Sequence, residues 1–221
     1  MRKLLGVLLV ATACQSFAAD IAIKSGVDYN VITPPAKAIS ISGPKINVTE
    51  FYSYGCIHCS LLEPKLDAWY KTATNVDLNR IQVVWDGHYS GYAKINATAE
   101  AMHLSTNFSQ AVFDATMNKR QNLEDVTQLQ AFLKDNSKLV DPKKFMDMYN
   151  SFAISSKPTE YAQYTKAYNI TGTPTFIVAG KYVTTPAQPE KLIQVVQALV
   201  TKASQEQKVK KWSSAIIYRH Q

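Results

Sequence analysis

The sequence predicts an α/β fold in which two sheet-forming parts flank a block of helices. Two observations support this: a strand–helix–strand pattern in the first hundred residues, and strand character that returns only after residue 170. Between these parts the spacing of apolar residues is helical. The predicted element order is therefore βαβ, a helical block, and ββα.

The first nineteen residues have the order of a secretory signal peptide. Two basic residues precede an apolar run from Leu4 to Ala13, and small residues follow at 16–19. The run is shorter than the roughly 20 residues that a membrane-spanning helix needs. We therefore expect export, with a mature chain that starts near Ala19 or Asp20.

Cys14 offers an alternative fate for this leader. The sequence VATAC loosely resembles the cleavage site of bacterial lipoproteins, in which the cysteine is lipidated and holds the protein at a membrane. Ala11 stands where such sites usually carry leucine. Lipid anchoring through Cys14 stays an open alternative at this point.

The charge and the cysteine content narrow the class of function. Removing residues 1–18 takes away two basic residues and no acidic one, so the formal net charge falls from +7 to +5. The basic residues are spread along the chain except near its end, so nucleic-acid binding has little support. Only Cys56 and Cys59 then remain, too few for a disulfide framework, and a close pair in an oxidising compartment suggests redox chemistry.

The first βαβ unit follows an irregular lead-in at residues 20–43, which holds several Gly and Pro residues and has room for one edge strand. Lys45–Tyr54 is rich in β-branched and aromatic residues and predicts a buried strand. Apolar residues at three-and-four spacing predict an amphipathic helix from Cys56 to about Thr74. Residues 80–85, RIQVVW, predict the second strand.

The helical block and the final ββα unit follow. Asn107, Asp141 and Thr159 are candidate N-caps. Strands are expected at Thr175–Ala179 and Lys181–Thr184, turned by Gly180 and followed by a last helix. The helical segments within the block are predicted at 94–106, 107–121, 123–135, 142–154 and 159–168.

These elements predict a division of the chain. A sheet domain is formed in two parts, 20–93 and 170–207, and an all-helical domain is inserted at 94–169. A signal peptide at 1–19 and a basic tail at 208–221, beyond the expected last helix, complete the chain. The tail carries Lys208, Lys210 and Lys211, and its function is open.

The motif Cys56-Ile57-His58-Cys59 holds the chemistry that the sequence predicts most directly. Two cysteines three apart at a helix start lie one turn apart, close enough to form a disulfide. Cys56 lies near free backbone N–H groups and the positive end of the helix dipole, which stabilise a thiolate. Protonated His58 adds to this effect. A stabilised thiolate favours the dithiol form, so the disulfide form is the stronger oxidant.

Two other readings of the pair stay open. Half of a zinc site is one, although a tetrahedral site takes four ligands and there is no second CxxC or His-rich spacing. We therefore expect no metal. A purely structural disulfide is the other, although so short a loop restrains little chain entropy.

The sequences FYSYGCIHCSLLEP and TGTPTFIV, separated by the helical block, resemble the DsbA family of bacterial periplasmic disulfide oxidoreductases. The resemblance extends over nearly the whole mature chain. It implies a thioredoxin fold with an inserted all-helical domain, a thiol:disulfide oxidoreductase activity, and no cofactor. It also implies a periplasmic location.

The resemblance assigns roles to individual residues. Cys56 would be the attacking cysteine, Cys59 the buried resolving cysteine, and His58 the residue that stabilises the Cys56 thiolate. Thr173-Pro174 matches a cis-proline loop that faces the motif. The Thr173 backbone would then pair with an extended substrate.

Glu50 falls where the family has a buried acid beneath the resolving cysteine, and the resemblance implies that it accepts or relays the proton of Cys59. The alternative is a carboxylate at a strand end that faces water. A buried carboxylate needs pairing, and Arg80 is the candidate partner.

Other residues near the motif bear on specificity and redox potential. Ile57 replaces the proline of the familiar DsbA motif, and Gly55 replaces a bulkier residue, so we expect an oxidase without assuming the family's most oxidising behaviour. Four aromatic residues could line a substrate groove or pack in the core. They are Phe51, Tyr52, Trp85 and Tyr89.

The leading functional hypothesis is that the Cys56–Cys59 disulfide passes to reduced exported proteins through a mixed disulfide at Cys56. A membrane partner that resembles DsbB would reoxidise the pair. One alternative is an isomerase or reductase, although the lead-in looks too short for the dimerisation domain that such proteins usually carry. Another is a non-enzymatic, peptide-binding chaperone or envelope surface protein.

Overall fold

A computed structural model describes residues 21–35, 38–39, 43–85 and 87–217, with side chains as far as residue 209. The predicted signal peptide, with Cys14, lies outside these residues. Within them, no helix combines the length and the apolar character that crossing a bilayer requires.

One five-stranded mixed sheet runs in the spatial order β1-β5-β4-β2-β3. The β2 and β3 strands are parallel, and the other neighbouring pairs are antiparallel. The strands are β1 Tyr29–Val31, β2 Ile46–Tyr52, β3 Val76–Gln82, β4 Thr175–Val178 and β5 Tyr182–Thr184.

The helices are arranged as the element order predicts: one follows β2, the middle block lies between β3 and β4, and the last follows β5. A single π-helical turn, Asp114–Asn118, continues the third helix. The helices are α1 Ile57–Tyr70, α2 Ser90–Ala101, α3 Thr106–Phe113, α4 Val126–Asp135, α5 Pro142–Tyr149, α6 Phe152–Ser155, α7 Lys157–Ala167 and α8 Pro189–Ile217.

All seven residues of β2 are buried, because strands lie on both sides of it and helices cover both sheet faces. One face packs Val48 against α1 and α8 through residues such as Leu62 and Val196. The other face packs Phe51 against residues of the helical block. The central position of β2 confirms the buried strand that its composition predicts.

The β3 strand differs from its prediction. It begins at Val76, four residues before RIQVVW, and ends at Gln82. Asp77 and Asn79 have low β-propensity, so composition hides this part of the strand. Their side chains are tolerated because β3 is an edge strand of the described sheet.

One predicted helix cap is confirmed and two are wrong. Asp141 caps α5, with its side chain accepting a hydrogen bond from the Lys144 N–H at 3.0 Å. Asn107 and Thr159 lie inside α3 and α7, whose N-caps are Ser105 and Ser156. Proline in the first turn of α7 suits an earlier start, since its fixed φ angle matches the helix and its missing N–H is not needed there.

The last helix is longer than its apolar pattern predicts. The residues that the sequence sets apart as a basic tail continue α8 as far as Ile217. No glycine or proline interrupts the chain after Pro189, and residues such as Lys, Gln and Ala favour helix. The helix therefore continues beyond Ala203, which is still buried against the sheet.

Candidate active site

The cysteine motif and the Thr173-Pro174 loop meet at one edge of the sheet, although 117 residues separate Cys56 from Thr173. The β2 strand ends at this edge and leads into the motif. The β4 strand is antiparallel to β2, with Thr175 opposite Phe51, so it begins at the same edge. Sheet topology thus brings the loop to the motif.

Cys56 is the last residue before α1 and has an extended backbone, with φ −110° and ψ 117°. Both cysteines are free thiols in the structure, Cys56 partly exposed and Cys59 buried. The Cys56 Sγ lies 3.4 Å from the Thr173 carbonyl oxygen and, as a thiol, donates a hydrogen bond to it. The sulfur therefore lies between the helix start and the loop.

Hydrogen bonds lower the pKa of Cys56 from 9.0 to about 5. The largest contribution is the hydrogen bond from the Cys59 thiol, followed by contributions from the Thr173 side chain and the backbone N–H groups of Cys59 and His58. Partial burial opposes the shift. These N–H groups are free because a helix leaves its first turn of donors unpaired.

Cys59 has the opposite shift, although it lies one turn away. Burial raises the pKa of the Cys59 thiol far above its usual range, and the hydrogen bond to Cys56 and the charge of Glu50 add to it. Its side chain is 1% exposed. The surroundings thus separate the two sulfurs into an accessible thiolate and a buried thiol.

His58 is exposed and borders the groove beside Pro174. Its backbone N–H contributes to the lowered pKa of Cys56. Within the described part of the chain, its ring takes part in no hydrogen bond or ion pair. A role of the ring in stabilising the thiolate stays a prediction.

The Thr173–Pro174 peptide bond is cis, as the resemblance implies. A groove of about 720 Å³ lies along this loop and reaches His58. Thr184 and Gln188 line its far side. Among the described residues that line it, none is Lys, Arg, Asp or Glu, and the lining mixes apolar side chains with Thr, Asn and Gln.

Glu50 is buried, with 1% of its surface exposed, and the Arg80 Nε donates to its carboxylate at 2.7 Å. The predicted pairing with Arg80 is confirmed, and the alternative of a water-facing carboxylate is wrong. Arg80 also donates from Nη1 to the Glu63 carboxylate at 2.9 Å. One guanidinium therefore bridges two buried carboxylates.

When both carboxylates are ionised, they and the one guanidinium carry a net charge of −1. Burial raises the pKa of Glu50 to about 7, Arg80 opposes the shift, and the charge of Glu63 adds to it. Two carboxylates that share one guanidinium titrate as a coupled group. The site therefore holds a carboxyl group able to take up or release a proton near neutral pH.

Two further residues of the site, Glu63 and Gln82, were not predicted from the sequence. Glu63 follows Cys59 by four residues, which places both on one face of α1, and that spacing was the available signal. Gln82 is fully buried and accepts the Tyr54 N–H at 2.9 Å, while its amide donates to the Ser53 Oγ at 3.2 Å. It holds the loop that leads into Cys56, and no sequence pattern indicates this.

Of the four aromatic candidates, two lie in the core and two are partly exposed. Phe51 and Tyr52 are fully buried, so they pack in the core and line no groove. Trp85 and Tyr89 are partly exposed, and the Trp85 indole N–H donates to the Ile170 carbonyl at 2.9 Å.

Gly55 lies between Tyr54 and Cys56, next to the Tyr89 ring. A Cβ atom at this position would lie 3.4 Å from the nearest atom of that ring, an ordinary contact. Space alone therefore does not require glycine here.

The chain is similar throughout to one group of proteins. A family model described as a DSBA-like thioredoxin domain matches residues 80–198. The thiol:disulfide interchange protein DsbA of Burkholderia cepacia is 36% identical over 204 residues, which cover 90% of this chain and 94% of that protein. Its counterpart in Pseudomonas syringae pv. tomato is 32% identical over 209 residues, covering 91% and 96%.

Solved structures agree with these relatives. The oxidoreductase NmDsbA1 from N. meningitidis superposes with a TM-score of 0.75 at 29% identity, covering 84% of this chain and 96% of that one. The Pseudomonas aeruginosa DsbA structure gives a TM-score of 0.75 at 29% identity, with coverages of 84% and 97%.

Proposed function

Because this chain is a thiol:disulfide oxidoreductase of the DsbA family of thiol:disulfide interchange proteins, we propose that it acts through a mixed disulfide at Cys56. Its fold is the thioredoxin fold with inserted helices, and it donates its disulfide to reduced protein substrates. We also propose a role for each residue of the site.

The first step is attack on the oxidised protein. A substrate thiolate attacks the Cys56 sulfur, the Cys56–Cys59 bond breaks, and Cys59 leaves with the electron pair. The partial exposure of Cys56 and the burial of Cys59 support this choice of sulfur. The product is a mixed disulfide between the substrate and Cys56.

Cys59 must then take up a proton, because its buried surroundings strongly favour the thiol. Glu50 is the proposed donor. Its carboxyl group, with a pKa of about 7, is protonated in part of the molecules at neutral pH. Arg80 and Glu63 hold that carboxyl group in place.

The second step releases the product. A second substrate thiolate attacks the substrate sulfur of the mixed disulfide, and Cys56 leaves as a thiolate. Its pKa of about 5 makes it a good leaving group. Two substrate thiols thus lose two electrons and two protons; the Cys56–Cys59 pair gains both electrons, one proton stays on Cys59, and the other enters solvent.

The loop at Thr173-Pro174 is the proposed binding site for the substrate backbone. Proline offers no N–H at this position, and the extended chain of a substrate can pair with the backbone of Thr173. The 3.4 Å contact between Cys56 and Thr173 supports this, since a chain joined to Cys56 would pass beside the loop.

Two further parts of the proposal concern the cellular setting. The leader at 1–19 supports export to the periplasm, where reduced substrates arrive unfolded. The reduced pair must be reoxidised there, and we propose a membrane partner that resembles DsbB. Anchoring through Cys14 would hold the protein at the same membrane.

The observation that carries this function is the contrast between Cys56, with a pKa of about 5, and Cys59, which is buried and protonated. Oxidised protein added to a reduced, unfolded test protein should accelerate its oxidative refolding. Cys56→Ala should abolish this activity. Cys59→Ser, first joined at Cys56 to glutathione by a disulfide, should release the glutathione to a test peptide with one cysteine and hold that peptide as a mixed disulfide, visible by mass spectrometry. Undiminished activity of Cys56→Ala would refute the mechanism.

A further inference from the structure

A threonine of the helical block holds the loop that leads into the cysteine motif. Thr116 lies in the π-helical turn Asp114–Asn118, and only 8% of its surface is exposed. Its Oγ1 lies 2.9 Å from the carbonyl oxygen of Tyr54 and donates a hydrogen bond to it. Tyr54 precedes Cys56 by two residues, although 62 residues separate it from Thr116.

The Thr116 hydroxyl has one proton to donate and three carbonyl oxygens within reach. Those of Val112 and Phe113 lie at 3.0 and 3.1 Å, and both belong to the helix, where backbone N–H groups are the usual donors. Tyr54 is buried, and the described part of the chain makes no other hydrogen bond to its carbonyl. A buried carbonyl without a donor is costly, so Tyr54 is the acceptor that most needs this proton.

Tyr54 is also held by the sheet. Its N–H donates to the Gln82 Oε1 at 2.9 Å, so Gln82 and Thr116 bind the N–H and the carbonyl of one residue. Gln82 belongs to β3, whereas Thr116 belongs to the helical block. The position of Tyr54 therefore depends on both parts of the fold.

The chain from Tyr54 to Cys56 has little freedom once Tyr54 is fixed. The Cys56 N–H donates to the Ser53 carbonyl at 3.0 Å, and the Gly55 N–H donates to the Ser53 Oγ at 3.1 Å, which closes a tight turn. Cys56 ends this turn and is the N-cap residue of α1. A shift of the turn would move its sulfur relative to the first N–H groups of the helix, and hydrogen bonds weaken steeply as their angle departs from linear.

The same part of the helical block encloses the buried cysteine. Cys59 packs in one apolar cluster with Tyr54 and Phe113, and the ring centroids of Tyr54 and Phe113 lie 4.9 Å apart. Apolar packing is non-directional, whereas a hydrogen bond fixes both a distance and an angle. The Thr116 hydroxyl thus adds a directional contact where the helical block meets the loop.

We propose that Thr116 is a positioning residue for disulfide transfer. Its hydrogen bond to the Tyr54 carbonyl holds the turn before α1, which keeps the Cys56 sulfur at the first N–H groups of the helix, where a thiolate is stabilised. This rests on the proposed function, in which Cys56 leaves as a thiolate. It gives the inserted helical block a part in setting how readily that thiolate leaves.

Three variants of Thr116 separate the effect of its hydroxyl from that of its volume. Thr116→Val and Thr116→Ala lack the hydroxyl, whereas Thr116→Ser keeps it. Valine has nearly the shape of threonine, and alanine differs from serine by the hydroxyl alone. Thr98→Val is the matched control, because Thr98 is a buried threonine on α2 whose hydroxyl makes no hydrogen bond among the described residues.

The first measurement is the pKa of Cys56 in the reduced protein, from the pH dependence of its alkylation by iodoacetamide. Cys59 stays a thiol over this range, because burial raises its pKa. Thr116→Val and Thr116→Ala should raise the pKa of Cys56 by about half a unit, since the thiolate form loses part of the effect of one hydrogen bond. Thr116→Ser and Thr98→Val should keep the parent value of about 5.

The second measurement is the equilibrium of each variant with glutathione. A less stable thiolate makes the disulfide form a weaker oxidant. Thr116→Val and Thr116→Ala should therefore shift about threefold towards the disulfide form, which is the same half unit of pKa expressed as a ratio. Thr116→Ser and Thr98→Val should stay at the parent equilibrium.

A pKa of Cys56 that is the same in the parent, in Thr116→Val and in Thr116→Ala would overturn the positioning role, even if both variants unfold at lower urea concentration. An equal shift in Thr116→Ser and Thr116→Ala would also overturn it, because the shift would then follow volume, as would an equal shift in Thr98→Val. If Thr116→Val does not fold, the comparison of Thr116→Ala with Thr116→Ser gives the same decision.

Failure of the proposed function is seen separately. The alkylation assay requires no disulfide transfer, so it reports on the position of the Cys56 sulfur whatever the protein oxidises. The proposed function fails when the refolding activity survives in Cys56→Ala. The positioning role fails when the pKa of Cys56 does not follow the hydroxyl at Thr116.

Discussion

At the scale of residues, the two thiols differ in pKa because their surroundings differ, although they are three positions apart. Cys56 receives hydrogen bonds at the helix start, whereas Cys59 is enclosed one turn further along. Glu50 connects to this pair through its charge, which disfavours a second anion at Cys59. The pKa of the Cys59 thiol thus depends in part on the charge of a buried carboxylate.

Glu50→Gln should change how stability depends on pH. The folded pKa of Glu50, about 7, is above its unfolded value of 4.5, so the folded state binds the proton more tightly. Stability should therefore fall as pH rises from about 4.5 to about 7, and Glu50→Gln should flatten this fall. Urea unfolding of the oxidised protein measures it, since neither cysteine titrates in that form.

Glu190→Gln is the control for this measurement. Glu190 is exposed, and its ion pair with Lys65 lowers its pKa, so its effect on stability lies near and below pH 4.5, and its loss should leave the slope unchanged between about pH 5 and 7. An identical slope in the parent and in Glu50→Gln would show that Glu50 does not hold its proton near neutral pH.

At the scale of elements, the site depends on the ends of three secondary-structure elements that meet at one edge of the sheet. These are the end of β2, the start of α1 and the start of β4. The loop between β2 and α1 is fixed by Gln82, which accepts from Tyr54 and donates to Ser53. The end of β3 therefore positions the residue that precedes Cys56 by two. The packing of β3 against β2 therefore contributes to the geometry of the active site.

Gln82→Leu should destabilise the fold by about 1–3 kcal/mol, because it leaves the buried Tyr54 N–H without an acceptor. Urea denaturation measures the free energy of unfolding. Gln194→Leu, at an exposed position on α8, should change it by less than about 0.5 kcal/mol. Equal effects of the two substitutions would contradict the role of Gln82.

The elements also show what the sequence can and cannot predict. Strands and helices follow from local apolar periodicity, so the order βαβ, helices, ββα is confirmed. The early start of β3 was missed because Asp77 and Asn79 have low β-propensity. The full length of α8 was missed because no periodic apolar pattern continues to its end. Glu63 and Gln82 were missed because their roles depend on tertiary contacts.

At the scale of the whole molecule, family membership and geometry lead to the same chemistry. The motif, the cis-proline loop and the acid Glu50 are residues that the resemblance implies, and the fold brings them to one edge of the sheet. The exact division into sheet and helical domains at 93 and 169 stays a prediction. What the resemblance leaves open is the oxidising strength, since Ile57 and Gly55 differ from the familiar motif.

The equilibrium between this protein and glutathione tests the central claim most directly, that stabilisation of the Cys56 thiolate makes the Cys56–Cys59 disulfide an oxidant. Mature protein is incubated in buffers of varied glutathione ratio, and the fractions of thiol and disulfide are measured after alkylation. We predict a reduction potential less negative than about −220 mV, the upper end of the biochemically extracted cytosolic glutathione range. A potential near that of thioredoxin, about −270 mV, would contradict the account.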